Sequence, residues 1–400
     1  MTFSKAVPVA GMGCLCSCGN TAHGAFEGAL NGRAHFVLPT NRVQSTYKTK
    51  FPVFLVPPVA YTTKPADITF SQFFFIKAAE QAFAQAGISP RQLDAKRVGV
   101  IVGASVHPSF HCFEVCQHHR NGTYGPQDVA EIKNYLSSPL AQWVADYFGF
   151  TGPFQTVVTA CASGTDAIGL AKNWIETGLC DAVLCGGTDE ITESPYDGFI
   201  RLLVSTPERC HPFCKTRNGI NIGEGAAALL LTNQTLSQKF NLPCQGYVLG
   251  YGNACDGFHP TAPDPQGIGL QKALSFALKE SGLSMRDLAF INAHGTASQA
   301  NDSAEAIAFN AVLPGVPVWG SKSVTGHTLG AAGAVEAVLS LQALNRHLLP
   351  ATVGFTIEDE NLHLRPTEET TSITKRFAVS DSLAFGGCNA AIVLGAKDAA

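Results

Sequence analysis

An α/β fold of two similar halves, each a parallel sheet with helices on its faces, is what this sequence predicts. Three observations lead there: the chain repeats itself, apolar runs alternate with helix-patterned segments, and few residues are charged. The clearest repeat sets Lys77-Ala78, Ala82 and Gly87-Ile88-Ser89-Pro90-Arg91-Gln92-Leu93 against Lys272-Ala273, Ala277 and Gly282-Leu283-Ser284-Met285-Arg286-Asp287-Leu288, offset by 195. In both copies a helix stops at Gly, turns, and feeds a short apolar strand, 98–102 in one and 289–292 in the other. Two further matches follow. Leu184-Cys185-Gly186-Gly187-Thr188 is answered by Ala384-Phe385-Gly386-Gly387-Cys388 at an offset of 200, and Cys161-Ala162-Ser163-Gly164 by His327-Thr328-Leu329-Gly330 at an offset of 166. Three matches in one order point to duplication. Strands alternating with helices imply parallel sheets, and two such halves stacked back to back bury the apolar helices. The division falls near residue 240, giving halves 1–240 and 241–400, after the buried-strand run Ala226-Ala227-Ala228-Leu229-Leu230-Leu231. Residues 103–140 and 192–222 read as irregular and are expected to cap a site.

Composition narrows the function classes. Of 400 residues, 46% are hydrophobic and 14% charged, which predicts a large buried core and an extensive subunit interface. Net charge is −4 and no Lys/Arg run resembles a nucleic-acid footprint. The 13 cysteines are odd in number and follow no framework, which fits reduced thiols in a cytoplasm. The first residues carry one Lys and a short apolar stretch broken by Pro8 and Gly11, not a signal-peptide pattern. No segment approaches the ~20 apolar residues of a membrane span. Gly11-Met12-Gly13 begins like a dinucleotide loop, but Cys16 stands where the third glycine belongs. Cys14, Cys16 and Cys18 alternate as strand residues do, and His111-Cys112, Cys116, His118 and His119 fit no standard zinc spacing and read as the surface of a cap helix. Neither a metal nor a cofactor is expected.

Cys161 is the most informative residue. It follows the run Thr156-Val157-Val158-Thr159-Ala160 and opens a helix whose apolar face is Ala167, Ile168, Ala171, Trp174 and Ile175, with Gly178 as the stop. A thiol at such a junction meets the positive end of the helix dipole, which lowers a cysteine pKa and makes a nucleophile; a small buried cysteine is the alternative. His294 follows an apolar strand within Asn292-Ala293-His294-Gly295-Thr296-Ala297-Ser298, at a strand C-terminus where α/β proteins place ligands. A loop histidine bonded to nearby backbone is its other reading. His327 opens the second-half helix and, by the 166 offset, takes the position of Cys161. The two helix N-termini then meet at one centre, and a cysteine with two histidines suggests acyl-thioester chemistry. Lys322 and Glu336 either orient a histidine or form an ordinary ion pair. Phe385-Gly386-Gly387 offers an aromatic on a glycine hinge with N–H groups for an oxyanion hole, or a plain turn.

With these residues in place, the chain resembles the β-ketoacyl-acyl-carrier-protein synthases, condensing enzymes of the thiolase superfamily. The resemblance runs along essentially the whole chain and is most specific in Thr159-Ala160-Cys161-Ala162-Ser163-Gly164, in Asn292-Ala293-His294-Gly295-Thr296, from Lys322 through His327 to Gly333, and in Phe385-Gly386-Gly387-Cys388-Asn389. The Cys-His-His set looks like the elongating branch. The resemblance implies a thiolase-like five-layered αβαβα fold, a dimer, and no metal or nucleotide. It implies that Cys161 takes an acyl chain from an acyl carrier protein, with the N–H groups of Cys161 and Phe385 as oxyanion hole. Malonyl-carrier then loses carbon dioxide beside His294 and His327, and the carbanion attacks the acyl-Cys161 thioester. Lys322 and Glu336 would hold the histidines, Thr296 and Ser298 would bond carboxylate or water, Phe385 would gate access, and Asn389 would steady the loop.

Departures accompany the resemblance. His211, Cys214 and Asn218 replace charged residues of the family pattern, and Ile220-Asn221-Ile222 precedes Gly223-Glu224-Gly225. The stretch Tyr61-Thr62-Thr63-Lys64-Pro65-Ala66-Asp67-Ile68 has one Lys where relatives often carry several. These changes suggest a specialised pathway, polyketide or aryl-polyene rather than housekeeping fatty-acid synthesis. Two other readings remain: a non-catalytic chain-length-determining subunit of a ketosynthase heterodimer, which usually lacks the nucleophile, and a biosynthetic thiolase, for which Cys388 is the candidate second cysteine.

Overall fold

A computed structural model describes residues 6–39, 43, 45, 47–65, 68–106, 109–137 and 139–399, with backbone alone for 109–114, 131 and 134–137. The first half runs β1 (Val7–Leu15), α1 (Ala22–Leu30), β2 (Phe36–Val37), β3 (Val53–Phe54), α2 (Phe70–Ala86), β4 (Val98–Gly103), α3 (Ser109–Arg120), α4 (Pro126–Ser137), α5 (Leu140–Phe148), β5 (Phe154–Val157), α6 (Ser163–Glu176), β6 (Ala182–Asp189), α7 (Glu193–Arg201), β7 (Gly225–Thr232) and α8 (Gln234–Phe240). The second runs β8 (Gly246–Cys255), α9 (Ile268–Ser281), β9 (Leu288–Asn292), α10 (Gln299–Val312), β10 (Val318–Trp319), α11 (Lys322–Thr325), α12 (Ala332–Arg346), β11 (Leu348–Leu349), β12 (Thr371–Ser372), β13 (Phe377–Ala384) and β14 (Cys388–Gly395).

Among the described residues ten strands form one ladder, β10-β9-β13-β14-β8-β1-β7-β6-β4-β5. Numbered within its own half, each set of five has the same order, first-fifth-fourth-second-third. That shared order is stronger support for duplication than any short string match. In each half the fifth strand, β7 or β14, runs antiparallel to its neighbours, so the sheets are mixed rather than wholly parallel as expected. The two sheets meet at one corner, where Val7, Pro8 and Val9 pair with Val248, Tyr247 and Gly246.

Three apolar clusters fill the spaces between helices and sheets. α2 and α5 cover one sheet, α9 and α10 cover the other, and α6 with α12 lie between, touching strands of both. Strand residues alternate between the clusters: Val98, Val100 and Val102 face outward and Ile101 inward, as do Leu230 and Leu229. A strand buried on both faces must be apolar throughout, which is why β4 and β7 read as unbroken apolar runs. α12 can occupy the centre because nearly every position from Ala332 to Leu344 is buried, including Ser340 and Glu336. The five layers match the expected αβαβα order.

The repeats themselves need one correction each way. α2 and α9 both stop at a left-handed glycine, Gly87 and Gly282, and lead to β4 and β9 as expected. Cys161, however, lies in the turn Ala160–Ala162 ahead of α6, and its structural counterpart ahead of α12 is the turn Leu329–Ala331. The offset is therefore 169, which pairs Cys161 with Gly330 and leaves His327 three residues earlier. Gly186-Gly187 sit inside β6, whereas Gly386-Gly387 sit in a turn beyond β13, so that match is coincidental. Residues 103–140 include α3 and α4, and residues 192–222 include α7, rather than wholly irregular chain. A fourth apolar cluster, including Val53, Leu55, Tyr196, Phe199, Ile220 and Ile222, forms the cap over the site. The twelve cysteines with described side chains are all free.

Candidate active site

Close approach of two helix ends builds the site. A Cβ on Gly164 of α6 would lie 2.9 Å from the Gly330 carbonyl oxygen and 2.9 Å from the Ala334 nitrogen, so only glycine lets α6 meet α12 here. Cys161 is thereby held at the floor of a cavity of about 400 Å³ that is also lined by His294, His327, Thr296, Ser298 and Phe385. Ala160, just before it, adopts φ 50, a left-handed conformation uncommon for a residue other than glycine.

The histidines are neutral and share one tautomer. Burial, then the Lys322 charge, then His327 hold His294 well below the usual imidazole range; burial and Lys322 do the same for His327. Lys322 Nζ lies 3.1 Å from His294 Nδ1, and an ammonium can only donate. The Leu329 N–H donates to His327 Nδ1 at 3.2 Å. Both Nδ1 atoms accept, so both Nε2 atoms carry the proton. The rings stand edge to face, 5.0 Å between centroids. Lys322 also pairs with Glu336, whose carboxyl burial pushes up to about 7 against the pull of Lys322. Lys322 and Glu336 thus stand behind the histidines and outside the cavity lining.

Cys161 departs from expectation. Burial pushes its thiol up to about 12; the Lys322 charge and the N–H groups of Phe385 and of Cys161 itself pull it down, and the Asp189 carboxylate adds to the rise. The helix-end reasoning predicted lowering, but it counts a local dipole and omits the loss of water around the sulfur. At neutral pH the group is a thiol. The two N–H groups that act on the sulfur are the pair expected of an oxyanion hole.

The glycine hinge is built as its sequence suggests. Gly386 and Gly387 have φ 83 and 76, conformations that strain any other residue. Asn389 Nδ2 donates to the Gly387 carbonyl at 3.0 Å and to Asp256 Oδ1 at 2.8 Å, and the Gly386 N–H donates to the Pro260 carbonyl at 2.7 Å. Phe385 stacks on Phe199, whose ring meets His327 edge-on. Thr296 and Ser298 hydroxyls are 3.0 Å apart, and Ser298 also caps α10. Cys388 does not line the cavity, which removes the residue the thiolase reading needs. Cys116, His118 and His119 are exposed on α3, with His118 paired to Asp128 at 2.6 Å, while the side chains of His111 and Cys112 lie outside the described residues. Among the described residues no group of three or more His, Cys, Asp or Glu is placed to hold a metal.

Sequence reasoning missed the acids beneath His294. Asp302 accepts from the N–H groups of Phe213 at 2.7 Å and Ala297 at 3.1 Å, and Glu305 accepts from the Gly295 N–H at 2.8 Å. They brace both sides of the His294 loop. Burial pushes Asp302 up to about 6, Asp381 up to about 8, and Glu305 well above the carboxylate range. Two acids one turn apart inside an alanine-rich helix were the available signal for Asp302 and Glu305. Burial raises the Cys214 thiol, but the Thr216 hydroxyl and the N–H groups of Thr356, Thr216 and Ile357 outweigh that and bring it to about 6.

Fold and site together define a class: a five-layered αβαβα protein with a Cys-His-His pocket at the meeting point of its two halves. Residues 4–236 match the family model for the beta-ketoacyl synthase N-terminal domain and residues 245–356 that for its C-terminal domain. The chain belongs to the beta-ketoacyl synthase family, with its thiolase-like fold. It is 30% identical over 415 residues to 3-oxoacyl-[acyl-carrier-protein] synthase 2 of Synechocystis sp., covering 96% of each chain. It is likewise 30% identical over 416 residues to the protein of the same name from Staphylococcus aureus strain COL, covering 98% of this chain and 99% of the other. Among solved structures it resembles the ishigamide ketosynthase/chain length factor, with a TM-score of 0.90, 27% identity and coverage of 98% and 99%. It also resembles a ketosynthase in complex with its chain length factor from Xenorhabdus doucetiae, with a TM-score of 0.83, 28% identity and coverage of 98% of each chain. No described helix is long and apolar enough to cross a membrane.

Proposed function

We propose that this chain catalyses decarboxylative Claisen condensation of an acyl group on Cys161 with malonyl-acyl carrier protein, giving 3-ketoacyl-carrier protein. The observation that carries the reading is two Nε2–H donors facing one cavity with a buried thiol. In the first stage Cys161 attacks the acyl-carrier thioester; the N–H groups of Cys161 and Phe385 stabilise the oxyanion, and the thiol proton ends on the departing carrier sulfur. In the second, malonyl-carrier enters and its thioester carbonyl accepts from His294 and His327. The C–C bond to the carboxylate breaks, carbon dioxide leaves, and the enolate is held by the two donors. Its carbon attacks the acyl-Cys161 carbonyl, and the Cys161 thiolate leaves and takes a proton from water. Neutral histidines suit this task because a donor is needed at an oxygen, with no proton to be delivered.

Lys322 and Glu336 are positioning residues for His294, Thr296 and Ser298 meet the incoming substrate, and Asn389 steadies Gly386, Gly387 and the Phe385 gate. The halves carrying these roles divide at residue 240, Cys161 in the first and the rest in the second. The working protein is a cytoplasmic dimer, with itself or with a chain-length factor, in fatty-acid or polyketide-type synthesis. The test is intact-mass analysis of carrier proteins after mixing this chain with acyl-carrier and malonyl-carrier. A new 3-ketoacyl-carrier that falls at least about 10³-fold with Cys161→Ala supports the reading. Product formed equally by Cys161→Ala overturns it.

A further inference from the structure

Helix α7 crosses the site and ends on a residue its own geometry disfavours. It buries Pro195, Tyr196, Phe199 and Ile200, and Phe199 reaches the floor of the cavity beside His327. One turn later the chain leaves through Leu203 at φ 59, with the Leu203 N–H donating to the Ile200 carbonyl at 3.0 Å and the Val204 N–H to the Phe199 carbonyl at 3.3 Å. The same pair of bonds closes α2 at Gly87 and α5 at Gly149, where glycine takes the left-handed shape freely. A leucine there sets its Cβ against the neighbouring carbonyl. Burial does not compensate, since Leu203 is 89% exposed and Leu202 before it 45%. Yet Leu203 and Val204 line the cavity that descends to Cys161. A strained, exposed leucine at the lip of a functional cavity asks for a use.

We infer that Leu203 is an apolar docking contact for the carrier protein that presents the thioester, an inference that rests on the proposed condensing activity. A thioester on a long arm reaches Cys161 through this cavity, so the carrier surface around the arm comes to rest on its rim. The lip residues Leu203, Val204, Ala262 and Pro263 carry no charge, which fits a carrier held there by apolar contact. A narrow arm covers one side of such a leucine, whereas a docked protein surface covers all of it, as at the apolar anchors of other interfaces.

Leu203→Gly separates the two roles of this residue, because glycine relieves the left-handed strain and removes the contact. KM for malonyl-loaded acyl carrier protein should rise about tenfold, or about 1.4 kcal/mol. The kinetics with malonyl-pantetheine, the arm without its carrier, should stay unchanged, and Tm should be unchanged or raised. Leu203→Asn, which also tolerates the conformation, should behave the same way. An unchanged KM for the carrier substrate makes Leu203 a helix stop and overturns the inference. An equal rise on both substrates overturns it too, because the arm is then what touches Leu203. Titration of fluorescently labelled acyl carrier protein gives the ratio without turnover. Wild-type protein that binds the carrier more tightly than Leu203→Gly but condenses nothing overturns the condensing reading and supports the docking contact. Wild-type protein that binds no carrier overturns the docking contact.

Discussion

Two turns open the two central helices, built alike and used differently. Ala160–Ala162 and Leu329–Ala331 each begin on a left-handed residue that is not glycine, at φ 50 and φ 54, and each leads into a buried helix. In the first, the next residue is Cys161, and local N–H groups act on its thiol. In the second it is Gly330, whose N–H already donates to Asp189 at 2.6 Å; the same carboxylate accepts from Ser105 at 2.7 Å and Val106 at 3.0 Å. A helix N-terminus favours an anion. At the second turn that anion is Asp189 at the end of β6, supplied by the first half, while the turn of Cys161 leaves the place free for the charge that develops in a reaction. Duplication copied the backbone, and what fills each helix end divided the labour.

Three substitutions bear on that difference. Gly330→Cys, which puts a thiol in the second turn, should have the largest effect. Its Cβ would lie 2.5 Å from the Ser105 nitrogen, 2.7 Å from the Ala104 carbonyl carbon and 2.7 Å from Asp189 Oδ2, atoms with little freedom to move. A loss of about 3 kcal/mol or more, read by thermal denaturation, is expected. A variant with wild-type Tm would mean the second turn has room for a nucleophile after all.

Asp189→Asn comes next. Three N–H groups lose a charged acceptor, at a cost of about 1–3 kcal/mol. Because Asp189 raises the Cys161 thiol, the pH profile of Cys161 alkylation should move to lower pH in the variant. An unmoved profile would separate the two turns electrostatically.

Asp381→Asn should have the smallest effect and concerns the acids behind the second half. Burial raises Asp381 from 3.8 to about 8, so the native state keeps its proton to higher pH than the unfolded chain does. That contribution is whole below pH 3.8 and is lost as pH rises through about 8. Asparagine has no such dependence. The variant's Tm should exceed wild type by a margin that grows from pH 5 to pH 9, reaching a few degrees; a constant margin would place the pH dependence elsewhere.

Legibility followed the range of each signal. The α2 and α9 repeat could be read because a glycine stop and its apolar flank are local. His327 was aligned with Cys161 on a four-residue string, and only backbone shape revealed the three-residue shift to Gly330. The paired glycines of 186–187 and 386–387 look alike as letters but lie inside a strand and beyond one. Glu305 and Asp381 are far apart in sequence, and no local pattern announced that they meet under His294.

The sequence by itself placed α2, α6 and α9 and the strands β4, β7 and β9, and it brought Cys161, His294, His327 and Lys322 forward as candidates, because these follow from residue type and short spacings. Tertiary structure alone decided the protonation states. Desolvation is set by what surrounds a group from every side, so burial made Cys161 a thiol and kept both histidines neutral. Where water is excluded, the surroundings outweigh the local helix dipole, and they are known only once the chain has folded.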